Sequence, residues 1–266
     1  MKQAFFEILS SLAVTNYDNG YEFTKTDRLD AIAQILSNTR YRKVNTNGLF
    51  HLYALDGMIP KKAVLISTHI DCVKDITKCF AEDYGIELLR GTFDNLITNA
   101  VSVSLMLETK LRENVLIAFT GDEEDDATGA RDVTAFLRSK GCDFSTIVLD
   151  VTNMGYEDAH FTVENNFWED ELGKAIIHIC EEVSDKWIFV PSDCDDIPPY
   201  VPKNKRIPTE AWSDESWEYD ESDIQCFSLC IPTEGEMHAN SGLLIKKEAL
   251  AVYTEVLERL ANGLTF

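Results

Sequence analysis

Positive charge is scarce in this sequence: 24 lysines and arginines stand against 46 aspartates and glutamates, a formal net charge of −22. Such an excess repels nucleic-acid phosphates and anionic lipid, so neither is an expected partner. It leaves cationic ligands and metal ions open, although a solvated acidic surface is the more ordinary use of such charge. Long apolar runs are missing too, and none approaches the length that spans a membrane. The N-terminal stretch MKQAFFEILSSLAV is broken by Glu7, and Ala4, Phe5, Ile8 and Leu12 fit the stripe of an amphipathic helix. The seven cysteines form no C-x-x-C pair and no dense framework. Scattered thiols, several inside apolar runs such as IQCFSLCIP, point to a reducing compartment, hence the cytoplasm. No repeat or low-complexity linker divides the chain, so one domain over 1–266 is expected.

What the chain does contain is an alternation of strands and helices. NYDNGYEF reads as a turn, and DRLDAIAQILSNT as a helix with Leu29, Ile32, Ile35 and Leu36 on one face. YRKVNTNGLFHLYAL reads as two strands around an Asn-Gly turn. KKAVLISTHI, NVLIAFTGDEE and STIVLDVTN are short continuous apolar strands of the kind buried inside a sheet. Helices follow each of these, within NLITNAVSVSLMLETKL, ATGARDVTAFLRSK and EDELGKAIIHICEEVS. KWIFVP and IQCFSLCIP are further strands, and KKEALAVYTEVLERLAN closes the chain as a helix. The pattern predicts an α/β fold, an αβα sandwich around a mixed, mainly parallel sheet. The stretch 191–223, with five prolines and many acids, reads as a long irregular loop of a functional or mobile kind.

Chemistry gathers where the buried strands end. His69 and Asp71 follow AVLIST, Glu123 and Glu124 follow VLIAFTGD, and Asp150 follows TIVL. Ligands of open α/β sheets bind outside the carboxyl ends of the strands. Asp94 in TFDN and His238 in EGEMHANSG can join them. Each residue taken singly has an ordinary alternative. His69 fits a hydrogen-bonded strand end, Asp94 a helix N-cap, the two glutamates a solvated acidic turn, Asp150 a turn cap and His238 any loop.

In order along the chain, STHIDCV, GTFDN, FTGDEEDDATGA, VLDVT and MHANSG resemble the signature of the co-catalytic dinuclear zinc exopeptidases. That superfamily includes bacterial leucyl and glutamyl aminopeptidases with related carboxypeptidases and deacylases, and the resemblance covers most of the chain. It implies one zinc held by His69, Asp94 and Asp150, and a second by Asp94, Glu124 and His238, with Asp94 bridging. It implies Glu123 as general base and Asp71 as the partner of the far nitrogen of His69. Imidazole and carboxylate suit Zn²⁺, and Co²⁺ or Mn²⁺ could take the same donors. A cis peptide at Asp94–Asn95 is also implied.

The activity so implied is hydrolysis of an amide bond in a small peptide or amino-acyl substrate, foremost by an aminopeptidase. The alternatives are an N-acyl amino acid deacylase or carboxypeptidase-type amidohydrolase, a single-zinc transferase or cyclase, and a binding protein on the same scaffold. The family's inserted lid domain has no room here. Asp71 and Asp94 are close in sequence, and a helix, strands and the acidic loop account for 150–238. Trp212, Trp217 and Tyr219 either wall a pocket or tuck the loop against the core. Nothing beside Cys72 and Cys79 in the sequence supplies a base, so both read as structural thiols. The oligomeric state stays open.

Overall fold

The computed structural model describes residues 3–15, 27–164, 170–195, 197–211 and 213–264; the turn expected in NYDNGYEF, and Trp212, lie outside them. In chain order, the elements begin with α1 (Gln3–Leu12), α2 (Asp27–Leu36), β1 (Tyr41–Lys43), β2 (Phe50–Leu55) and β3 (Lys62–His69). They continue with β4 (Ala81–Tyr84), β5 (Leu88–Gly91), α3 (Leu96–Leu107), β6 (Val115–Thr120), α4 (Thr128–Ser139) and β7 (Asp143–Thr152). The last are β8 (Phe161–Glu164), α5 (Asp170–Val183), β9 (Trp187–Val190), α6 (Asp214–Glu221), β10 (Cys226–Pro232), β11 (Leu243–Lys246) and α7 (Lys247–Gly263).

Alternation within single strands sets the layers. Along β3, Val64 and Ile66 enter one core while Ala63 and Leu65 enter another. Along β6, Val115, Ile117 and Phe119 divide from Leu116 and Ala118 in the same way. Successive side chains point to opposite faces, so a strand apolar on both must be covered on both. The first core takes its helical residues from α1, α2, α3, α5 and α7, such as Leu9, Ile32, Val101, Ile176 and Tyr253. The second takes them from α4 and α6, including Val133, Leu137 and Tyr219. The result is the expected αβα sandwich.

The main sheet has the order β1-β2-β6-β3-β7-β10-β8-β9. Its four central strands β6, β3, β7 and β10 run parallel, whereas β2 pairs with β6, and β8 with β10, antiparallel. Register places the site. His69 pairs with Thr120, and Ser67 with Val148, so Asp150 falls level with the end of β3.

Several elements depart from the sequence expectation. β4, β5 and β11 form a small second sheet in the order β11-β5-β4, where only a polar segment and a loop were expected. β8 was expected as loop. The acidic stretch 191–223 contains α6, capped by Ser213, whose side chain accepts the Ser216 N–H. Tyr219 on that helix is fully buried, so it belongs to the core and walls no pocket. Trp217 is half-exposed, and its Nε1 donates to Glu221 at 2.9 Å. No helix among the described residues is long and apolar enough to cross a membrane.

Candidate metal centre

Three parallel strands and one helix start deliver the chemical groups to one place. β3 ends at His69, and the loop beyond it carries Asp71. The turn after β6 carries Glu123 and Glu124, and β7 carries Asp150. That turn is held close to α4. A Cβ on Gly129 would stand 2.6 Å from the Gly121 carbonyl oxygen, and the Gly129 N–H donates to that oxygen at 3.0 Å. Only glycine permits this approach, which bends TGDEE back toward the sheet. Asp94 precedes α3, and the Asp94–Asn95 peptide is cis, as expected. His238 lies in the loop before β11 at φ +60°. The left-handed region costs a non-glycine residue about 1–3 kcal/mol, held here by the surrounding structure.

All seven residues singled out in the sequence converge. His69 Nε2 is 3.2 Å from Asp94 Oδ1, 3.8 Å from Asp150 Oδ1 and 3.8 Å from Glu123 Oε2. His238 Nε2 is 3.1 Å from Asp94 Oδ2 and 3.4 Å from Glu124 Oε2. The two oxygens of Asp94 therefore face two different imidazoles. Asp71 stands behind, with Oδ1 3.3 Å from His69 Nδ1 and Oδ2 accepting the Glu124 N–H at 3.1 Å.

Two sets of donor atoms lie within 4.8 Å of one another: His69, Glu123 and Asp150, and His69, Asp94 and Glu124. These sets cross the division implied by the resemblance, because His69 stands in both and Glu123 stands as a donor. One Nε2 can bind only one ion. The contacts of His238 with Asp94 and Glu124 supply the second imidazole, and they favour a His69 side and a His238 side joined by Asp94.

Electrostatics sharpens the picture. Burial and the neighbouring carboxylates Asp150, Asp94 and Glu124 push Glu123 well above the usual carboxylate range, against the pull of His69. Burial, with Asp94 and Asp71 adding to it, pushes Glu124 up to about 7. Burial likewise raises Asp150. Burial also raises Asp94, but the hydrogen bond with His238 and the charges of both imidazoles outweigh it and hold Asp94 low. Burial lowers His69, yet Glu123, Asp150, Asp71 and Asp94 together keep its imidazole protonated well above its ordinary range. The hydrogen bond to Asp94 raises His238.

A divalent cation fits this cluster. Both ring nitrogens of His69, Asp71 Oδ1 and Glu124 Oε1 are buried without a hydrogen-bond partner. Buried polar atoms normally find one, and a site built for an ion is a recognised reason for the exception. Desolvated carboxylates that repel one another lack positive charge, and imidazole with carboxylate is a borderline donor set suited to zinc-like ions.

Two asparagines and an arginine that sequence reasoning passed over support the ligand geometry. Asn95 Nδ2 donates to the Leu149 carbonyl at 2.6 Å, tying the Asp94 turn to β7 beside Asp150. Asn99 Nδ2 donates to the His69 carbonyl at 2.8 Å. Arg28 Nη1 donates to the Ile70 carbonyl at 2.6 Å, between His69 and Asp71. Each left a trace in the sequence. Asn95 and Asn99 interrupt the apolar NLITNAV one helical turn apart, and Arg28 falls on the apolar stripe of α2.

Beside the cluster, a narrow cleft is lined by Cys72, Val73, Ile76, Thr92, Asp94, Glu124, His238, Ala239 and Leu243. Wider hollows lie elsewhere, among α1, α3 and α7 and beside α2, β1 and β2. They hold none of the converging acids.

The chain shares its fold with solved aminopeptidases. Over 100% of this chain and 98% of its own, the TET aminopeptidase of the archaeon Thaumarchaeota archaeon SCGC AB-539-E09 superposes with a TM-score of 0.71 at 10% identity. Aminopeptidase APDkam598 of Desulfurococcus kamchatkensis gives 0.67 at 10% identity, over 98% and 95% of the two chains. The TET1 peptidase of Pyrococcus horikoshii gives 0.66 at 9% identity, over 98% and 100%. No protein-family model and no curated protein matches the sequence, so the likeness is one of fold.

Proposed function

We propose that the chain is a metal-dependent hydrolase of amide bonds in small peptides, acting as an aminopeptidase with two zinc ions. The observation that carries this reading is the carboxylate of Asp94, with one oxygen toward His69 and the other toward His238. His69, Asp94 and Asp150 would hold one ion, and Asp94, Glu124 and His238 the other. Bound there, the ions would supply Lewis acidity to the scissile carbonyl and make a water easier to deprotonate. With the ions bound, Glu123, buried beside His69, would be ionised and would accept that proton and return it to the leaving amine. Asp71 fixes the tautomer and orientation of His69 through Nδ1. The acidic surroundings favour a free α-amino group at the substrate terminus over a carboxylate. The whole chain would act as one catalytic unit in the reducing cytoplasm, where its seven free thiols are stable.

The proximity of Glu123 to His69 and Asp150 supports a second reading, in which Glu123 is a ligand. Glu123→Gln separates the two. As general base, it should keep both ions while hydrolysis of amino-acyl amides falls about 10²–10⁴-fold. Loss of an ion would make Glu123 a ligand, and near-normal turnover would remove it from the chemistry. A panel of amino-acyl amides, N-acyl amino acids and C-terminally free peptides decides between aminopeptidase, deacylase and carboxypeptidase.

A further inference from the structure

One buried cation in the molecule is not explained by the metal centre. Arg28 is fully buried on α2, and among the described residues no carboxylate forms an ion pair with it. Its guanidinium donates to the carbonyls of Leu12, Val14 and Ile70 at 3.2, 3.0 and 2.6 Å. Its remaining contact is Cys79 Sγ, 3.7 Å from Nη2. A buried charge demands a partner, and a thiolate at Cys79 is the anion this geometry offers.

Cys79 has a second thiol beside it. Cys72 and Cys79 pack with Ile76 and Val73 in a cluster of their own, and the Cys72 thiol is within hydrogen-bonding reach of Cys79. Both lie in the connection 70–80, which contains no helix or strand and so can adjust locally. Cys72 also lines the narrow cleft beside Asp94, Glu124 and His238, so the pair borders the metal centre. We infer that Cys72 and Cys79 form an oxidisable pair, a modification site at the edge of the metal centre that a hydroperoxide converts to a disulfide. Arg28, whose Nη2 lies 3.7 Å from Cys79 Sγ, acts as a positioning residue for that thiol.

The remaining thiols support the assignment by contrast. Hydrogen bonding from Cys72, followed by the charge of Arg28 and hydrogen bonds from Thr92 and Thr15, outweighs burial and holds Cys79 down to about 6. Burial pushes Cys142 up to about 11 and raises Cys180, Cys226 and Cys230 further. Partial burial and the carboxylates Glu210, Asp193 and Asp195 raise Cys194. A soft metal ion is disfavoured as an occupant because the guanidinium would repel it.

The chemistry balances with hydrogen peroxide as oxidant. The Cys79 thiolate attacks one peroxide oxygen, the O–O bond breaks, and the departing hydroxide takes a proton to become water. The sulfur of Cys72 then attacks the sulfenic sulfur, the S–O bond breaks, and hydroxide leaves with the Cys72 proton as a second water. Two thiols are oxidised by two electrons, and one peroxide is reduced. A disulfide draws the two sulfurs to about 2.05 Å. Because Cys72 follows Asp71 directly, the cross-link would shift the group that orients His69 and receives the Glu124 N–H.

The test does not require the proposed hydrolysis. The full chain is treated with hydrogen peroxide at neutral pH, its free thiols are alkylated, and its peptides are read by mass spectrometry. The expected result is a Cys72–Cys79 cross-link that forms before Cys194 is modified, although Cys194 is the most exposed thiol, and that a dithiol reverses. Cys79→Ser should abolish the cross-link, and Arg28→Gln should slow it by removing the cation beside Cys79. The pH dependence of Cys79 alkylation in the wild type, needing no variant at Arg28, should have its midpoint near 6. Oxidation of Cys194 first, an unlinked pair after treatment, or a midpoint at or above the ordinary thiol value of 9.0 would overturn the assignment.

Discussion

The buried carboxylate of Glu215 and the acidic cluster around Asp94 lie close together near the ends of β3 and β6, and the fold treats them differently. Glu215 on α6 is 1% exposed. One oxygen accepts from the Thr120 hydroxyl and the other from Ser67 Oγ at 3.1 Å, with Tyr219 OH a further 3.0 Å from Ser67. Its neighbours are neutral donors, and burial pushes it up to about 7 despite them. The cluster around Asp94 suffers the same desolvation but meets imidazoles and other carboxylates, and leaves buried atoms without hydrogen bonds. A lone desolvated acid can take a proton and become one more satisfied core group. Several crowded acids around two imidazoles are better served by cations. Glu215 thus reads as a clamp joining the acidic segment to the sheet, and Asp94 as the pivot of a metal site.

The comparison breaks most severely at Asp94. Asp94→Ala should abolish tight zinc binding at both positions and reduce turnover to background. It should also remove the stabilisation zinc gives, about 2.7 kcal/mol per site at a hundredfold excess over Kd; thermal melts with and without zinc measure it. His238→Ala should lose one ion of two and leave the His69 side loaded, as metal analysis after dialysis will show. Retention of both ions would place His238 outside the ligand set.

Glu215→Gln probes the other group. A carboxyl whose folded value is raised contributes stability that is full below its unfolded value of 4.5 and is lost as pH rises through about 7. Replacing it with an amide should remove that share of the decline between pH 4.5 and 7 in metal-free protein, read as urea midpoints against pH. An unchanged slope would mean that Glu215 stays ionised throughout. The smallest effect belongs to Trp217→Ala. With Trp217 half-exposed on α6, stability should move by about 0.5 kcal/mol or less, and a larger loss in a urea melt would mean that the segment is anchored through this ring.

The ease of reading these parts from sequence follows their physics. β3, β6, β7 and β10 are central in the sheet and mainly buried, so each appears as a largely apolar run, and in β3, β6 and β7 a candidate site residue stands at or near its end. β4, β5, β8 and β11 have only four residues each, too few for a pattern, and three of the four in β4 are exposed acids or tyrosine. α6 reads DESWEYDE and has no apolar stripe. Its one sequence signal is Ser213 followed by Asp214 and Glu215, a capping residue with acids in the first turn. Glu215 itself was hidden among surface acids, because only the crossing of α6 over Ser67 and Thr120 buries it. The acids and the imidazole at strand ends, His69, Glu123, Glu124 and Asp150, were legible from their places, and the proposed division of ligands is what the resemblance implies. Asn95, Asn99 and Arg28 act through carbonyls, which every residue possesses, so no partner in the sequence could mark them.

A calorimetric zinc titration of the metal-free wild-type chain probes the paired-cation site most directly. Two tight sites per chain are predicted, from the two imidazoles that share the Asp94 carboxylate. No tight site, or two that persist unchanged when Asp94 is replaced by alanine, would contradict it.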